Sequence, residues 1–168
     1  MRHLIALAVL FGVANGTAFC QDSAEQGSRL DRPVNHWNGY IGWGGAFAAG
    51  SKPAGNFGIG MDIRIWRGLG AGGEIGLIAS GGDAFGMASL NASYQFIRSP
   101  FRQKGIVPFI AGGYTSGSTG EASAMGANVG GGVNWWFRER LGLRFEVRDY
   151  YFKNEVNCVV LRVGISFR

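Results

Sequence analysis

The sequence predicts an all-β protein, an eight-stranded antiparallel up-and-down transmembrane β-barrel. Three observations carry that prediction. From Trp37 onward apolar residues recur with a period of two in segment after segment, and no stretch has a helical period. The segments are about ten residues long, the span of a tilted transmembrane strand, and short turns join each to the next as in an antiparallel meander. The phase opposite the bulky residues is built of Gly, Ser and Asn with a few ionic residues. An eight-stranded barrel has an interior just wide enough for side chains, so the small residues belong inside. Ile, Leu, Val, Met and Phe are left to face lipid.

The chain divides into three parts. Residues 1–20 read as a signal peptide: Arg2 precedes the apolar run LIALAVLFGV (Leu4 to Val13), and small and polar residues follow to Cys20. At about ten residues that run is too short to span a bilayer as a helix. Ala18 and Cys20 fit the −3 and −1 positions, which puts the mature start at Gln21; the large Phe19 argues against acylation of Cys20. Residues 21–36 are polar, carry no period and read as a flexible lead-in. Residues 37–168 are the barrel.

Each strand has its own evidence. The first spans Trp37–Ala48. In Phe57–Trp66, Phe57, Ile59, Met61, Ile63 and Ile65 oppose Gly58, Gly60, Asp62 and Arg64. Gly70–Ala79 sets Ile75 and Leu77 against Gly72, Glu74 and Gly76; Phe85–Phe96 sets Leu90 and Tyr94 against Ser89, Asn91 and Ser93. Ile106–Thr115 is a strand of unassigned phase, because both parities mix apolar residues with Gly. Ala124–Phe137 opposes Val129, Val133 and Trp135 to Asn128 and Asn134, and Leu141–Phe152 opposes Leu143, Phe145 and Val147 to Arg144, Glu146 and Arg148. The last, Cys158–Phe167, alternates Val159, Leu161, Val163, Ile165 and Phe167 with Arg162, Gly164 and Ser166.

Composition narrows the function classes. There are 30 Gly among 168 residues, but they sit among aromatic and β-branched residues, unlike a disordered chain. The net charge is +5, or +4 once Arg2 leaves with the signal peptide, and the bases are scattered, so no nucleic-acid partner is expected. Without Cys20, Cys158 stands alone and no disulfide framework exists. A secreted lipocalin-like carrier is the inside-out alternative, with apolar residues within and polar residues outside.

The inward phase gathers Asp62, Arg64, Glu74, Arg144, Glu146, Arg148 and Arg162, three acids and four bases. Unpaired charges in a confined interior are costly, so these residues are expected to form an ion-pair network that plugs the lumen. Aromatics collect at strand ends as interfacial girdles, with Trp37, Trp66, Trp135 and Phe167 at one rim and Phe47, Phe57, Phe85 and Tyr151 at the other. No catalytic site is expected. His36 is the one His left after export and precedes the first strand; Ser89, Ser93 and Cys158 have no His partner. Asp62 and Glu74 make no metal site, and GGAFAAG and GAGGEIG lack the Lys and helix of a phosphate loop, so no metal or cofactor is expected.

The run GGGVNWWFRERLGLRFEVRDYYF (residues 130–152) resembles the penultimate hairpin of the outer-membrane β-barrel family that includes the OmpA transmembrane domain. VPFIAGGYTSG (residues 107–117) resembles that family's preceding strand, and the resemblance covers residues 37–168. It implies a Gram-negative-type outer membrane, with both termini periplasmic and outer-membrane lipids as surroundings. The role expected of the chain is non-enzymatic and structural in the envelope, with a narrow pore for small solutes as the alternative, and a monomer is the default expectation. The resemblance also implies that the aromatic-terminated last strand, through Phe167, is the signal read by the barrel-assembly machinery. The chain stops with the barrel, so a peptidoglycan-binding role does not carry over. In that orientation Arg67, Arg98, Arg102, Lys104, Arg138 and Arg140 fall in periplasmic turns, where they would favour anionic headgroups.

Overall fold

Alternating apolar and small polar residues suit a pleated strand with two different faces, and β-branched and aromatic residues fill the bulkier face. A computed structural model describes residues 37–48, 50, 52–97, 105–119, 123–153 and 157–168. The signal peptide and lead-in expected at residues 1–36, His36 among them, lie outside these, as do Arg98, Arg102 and Lys104.

Eight strands form one closed barrel in sequence order: β1 (Trp37–Ala48), β2 (Ala54–Trp66), β3 (Leu69–Ser80), β4 (Asp83–Gln95), β5 (Gly105–Ser118), β6 (Ser123–Trp136), β7 (Leu141–Phe152) and β8 (Asn157–Phe167). Every neighbouring pair is antiparallel, including the β1–β8 seam. The expected fold class and all eight strands are borne out, with bounds differing by three residues or fewer. Following the pairing from Asn38 once round the barrel arrives at Ala48, ten residues further along β1. That stagger tilts the strands by about 40°, so strands of this length stand about 30 Å tall, the thickness of a hydrocarbon core.

Turn chemistry fixes the register. Arg67–Gly68 (φ 42° and 93°) and Gly81–Gly82 (φ 62° and 105°) are two-residue connections with both residues left-handed, the type I′ geometry that matches strand twist.

The wall is inside-out relative to a soluble protein. Ile41, Trp43, Ile59, Ile63, Ile75, Leu90, Val129, Phe145, Leu161 and Ile165 are exposed, while Asn38, Asp62, Glu74, Asn91, Asn128, Asn134, Arg144, Glu146, Arg148 and Arg162 are buried. A lipocalin-type carrier has the opposite phase. The phase of β5, which the sequence leaves open, is set by Phe109, Ala111 and Thr115 pointing inward and Ile106, Ile110 and Tyr114 outward. Phe85 departs from the girdle expected of it. It points into the lumen and packs edge-on against Phe152, with ring centroids 5.5 Å apart.

Candidate functional site

The chemistry of this protein lies in its lumen, built first from β7. Residues two apart on a strand share a face, so Arg144, Glu146 and Arg148 form a ladder of alternating charge pointing inward. β8 adds Arg162 directly opposite Glu146, and across the bore β3 supplies Glu74 and β2 supplies Asp62. Such long side chains need space in a narrow barrel, and glycine provides it. A Cβ at Gly58 would lie 2.7 Å from Nη1 of Arg162, and one at Gly60 would lie 2.5 Å from the Tyr40 hydroxyl.

Glu74 is the hub. Its Oε1 meets Nη1 of Arg162 at 2.7 Å and accepts from the Tyr150 hydroxyl at 3.2 Å. Its Oε2 accepts from the Tyr40 hydroxyl at 2.5 Å and from Nη1 of Arg148 at 3.0 Å. A carboxylate has about four lone-pair sites, so this one is saturated. Glu146 accepts from Nε of Arg144 at 3.0 Å and pairs with Nη2 of Arg148. Asp62 lies 3.8 Å from Nη1 of Arg144. The Arg144 guanidinium is also held between two rings, 4.0 Å from the centroid of Tyr40 and 3.9 Å from that of Phe109. Three carboxylates and three guanidiniums thus balance within one cluster, whose central side chain, Arg148, is 1 % exposed.

The structure brings together six of the seven charged residues predicted to share the lumen. Arg64 stands apart, towards the end that carries the start of β1 and the end of β8. It donates through Nη2 to Oε1 of Gln95 at 3.1 Å. At that same end Arg168 lies over the Trp136 ring at 4.1 Å and donates from Nε to the Glu139 carbonyl at 2.8 Å.

Three further features fill the bore. Ser89 and Thr115 share a hydrogen bond of 2.8 Å, and the Asn128 amide donates to Asn91 at 2.9 Å and to Thr115 at 2.8 Å. Ser166 donates to Asn134 at 3.1 Å. Towards the opposite, loop-bearing end an apolar plug of Ala46, Met87, Tyr150, Cys158 and Val160 packs against Ile78, Phe85 and Phe152. Sequence reasoning missed this plug and the two tyrosines. The available signal was the set of isolated apolar residues in the polar phase, Ile78, Met87 and Val160.

The predicted girdle residues lie as follows. Trp37, Trp66 and Trp135 are exposed on the outer wall at the terminus-bearing end, and Phe47, Phe57 and Tyr151 at the loop-bearing end. Phe167 stands outward beside Trp37, with ring centroids 6.3 Å apart in an edge-on arrangement. A shallow groove of about 770 Å³ crosses the outer wall past Met61, Gly73, Ala88 and Tyr114. Among the described residues no three His, Cys, Asp or Glu side chains converge as a metal site would require.

No family model and no curated protein matches the chain. Solved structures do. The N-terminal β-barrel domain of Pseudomonas aeruginosa OprF aligns with a TM-score of 0.62 at 15 % identity, covering 79 % of this chain and 97 % of that one. Ail, the attachment invasion locus protein of Yersinia pestis, aligns with a TM-score of 0.58 at 13 % identity, covering 79 % and 98 %. The Neisserial surface protein NspA aligns with a TM-score of 0.55 at 18 % identity, covering 78 % and 94 %. At these identities the likeness establishes the fold, and the fold is the eight-stranded barrel that the sequence resemblance implies.

Proposed function

We propose, from this fold and its filled lumen, that the chain is a non-enzymatic outer-membrane protein with a structural role in the envelope. The observation that carries the reading is Glu74 saturated by Arg148, Arg162, Tyr40 and Tyr150 across the bore. Dismantling that hub exposes unpaired charge in a confined space, so the resting lumen is closed to solutes. The apolar outer wall supports insertion into lipid as a monomer. Residues 1–20 would direct export, the terminus-bearing end would face the periplasm, and Phe167 in β8 would be read by the barrel-assembly machinery. In cells, Phe167→Ala is expected to lower the amount of folded protein more than deletion of Arg168 does; equal losses would remove that role from Phe167.

Planar-bilayer recording, alongside membrane fractionation and a heat-modifiability gel, tests the main reading. The expected result is protein in the outer-membrane fraction, a mobility that changes on boiling, and no stable unitary current. Large stable channels that persist unchanged in Arg148→Ala would overturn the closed lumen in favour of a narrow solute pore. Recovery in the soluble fraction with unaltered mobility would overturn the membrane reading.

A further inference from the structure

The β2–β3 turn breaks two local rules in consecutive residues. Along β2 the outward phase runs through Phe57, Ile59, Met61, Ile63 and Ile65, so unbroken alternation would point Trp66 into the lumen. Instead a β-bulge between Arg64 and Trp66 shifts the register, Trp66 pairs with Leu69, and its indole turns to the outer wall, 64 % exposed. The next residue, Arg67, sits at φ 42°, the one non-glycine with positive φ among the described residues. That position of a type I′ turn favours Asn, Asp or Gly, so an arginine there is strained.

Neither irregularity serves the lumen. The turn is tied to β4 through Gly68, whose carbonyl accepts from the Gln95 N–H at 2.8 Å. The Arg67 guanidinium lies over the outer indole, 5.1 Å from the ring centroid, and no carboxylate among the described residues pairs with it. On the opposite side of the barrel the β6–β7 turn presents exposed Arg138 and Arg140 at the same end. A cation stacked on an amphipathic ring at the rim of an apolar wall stands at headgroup depth, and the planar guanidinium matches a phosphate.

We propose that Trp66 and Arg67 anchor the phosphate of an anionic membrane phospholipid at the terminus-bearing rim. The bulge places the indole in the interfacial layer, and the indole supports the guanidinium there, leaving its N–H groups for the headgroup. This rests on the membrane reading above.

The test is competition between spin-labelled phosphatidylglycerol and phosphatidylcholine for the full chain refolded in phosphatidylcholine vesicles. Arg67→Gly is expected to lose about fivefold of the preference for phosphatidylglycerol, the size for one arginine at a charged surface. Its thermal unfolding midpoint should stay level or rise, because glycine relieves the strain. Trp66→Leu, which leaves the charge in place, should lose at least half of the same preference. Unchanged selectivity in either variant, or a lowered midpoint in Arg67→Gly, overturns the anchor. Selectivity lost in high salt supports it, whereas failure of the wild type to enter vesicles overturns the membrane reading together with the anchor.

Discussion

Two levels of one bore are filled by opposite chemistry. At the waist, Glu74 and Glu146 are held by Arg144, Arg148 and Arg162. Nearer the loop-bearing end, Met87, Val160, Ala46 and Cys158 make an apolar plug. Tyr150 joins them. Its ring stacks on Phe152 with centroids 6.4 Å apart, while its hydroxyl donates to Glu74 and accepts from Nη2 of Arg162 at 2.7 Å. The contrast separates closure from cohesion. An apolar plug alone would make a stable cap, since buried ion pairs bring little net stability over apolar packing. The ionic waist is instead a structure whose parts depend on one another, and under the proposed closed lumen that dependence makes it the better seal against ions.

The comparison breaks most sharply at the hub. Glu74→Ala leaves Arg148 and Arg162 facing each other without their shared carboxylate, and should cost about 3–5 kcal/mol in urea unfolding from lipid vesicles. Met87→Ala removes apolar contact from the plug but strands no charge, so its expected cost is about 2–4 kcal/mol. The sharper difference lies in conductance. Glu74→Ala should admit ions where Met87→Ala does not, because only the former removes a charge that balances the bore. Equal currents from the two variants would show that the plug seals as well as the waist does.

The ionic waist was readable from the sequence and the plug was not, for physical reasons. A charged residue inside a period-two strand can face only one way in lipid, so its phase declares it, as with Arg144, Glu146 and Arg148 in β7. An apolar residue fits either face. Ile78, Met87 and Val160 therefore look like noise in the polar phase until neighbouring strands bring them together. In β5 the same ambiguity hid the phase altogether. It is resolved by a contact that no single strand reveals, the Phe109 ring against the Arg144 guanidinium. The early start of β2 was hidden by low contrast in Ala54, Gly55 and Asn56, which stay in the ladder through pairing with Ala46, Gly45 and Gly44. The bulge that turns Trp66 outward leaves no mark in the residue pattern at all.

Arg64 sharpens the comparison from the opposite side, with the smallest expected effect. By phase it is indistinguishable from the arginines of the waist, and the sequence placed it in their network. In the barrel it lies at the terminus-bearing end and is only partly buried, with Gln95 as its hydrogen-bond partner. A charge that keeps some water needs no carboxylate to be tolerated, so its removal leaves no charge unpaired and costs only the one hydrogen bond to Gln95. Arg64→Met keeps most of the side-chain length and should change stability by no more than about 1 kcal/mol, with the bore still closed. A cost as large as that of Glu74→Ala, or the appearance of current, would mean that Arg64 shares charge with the waist. The seal would then extend beyond the six residues that touch one another.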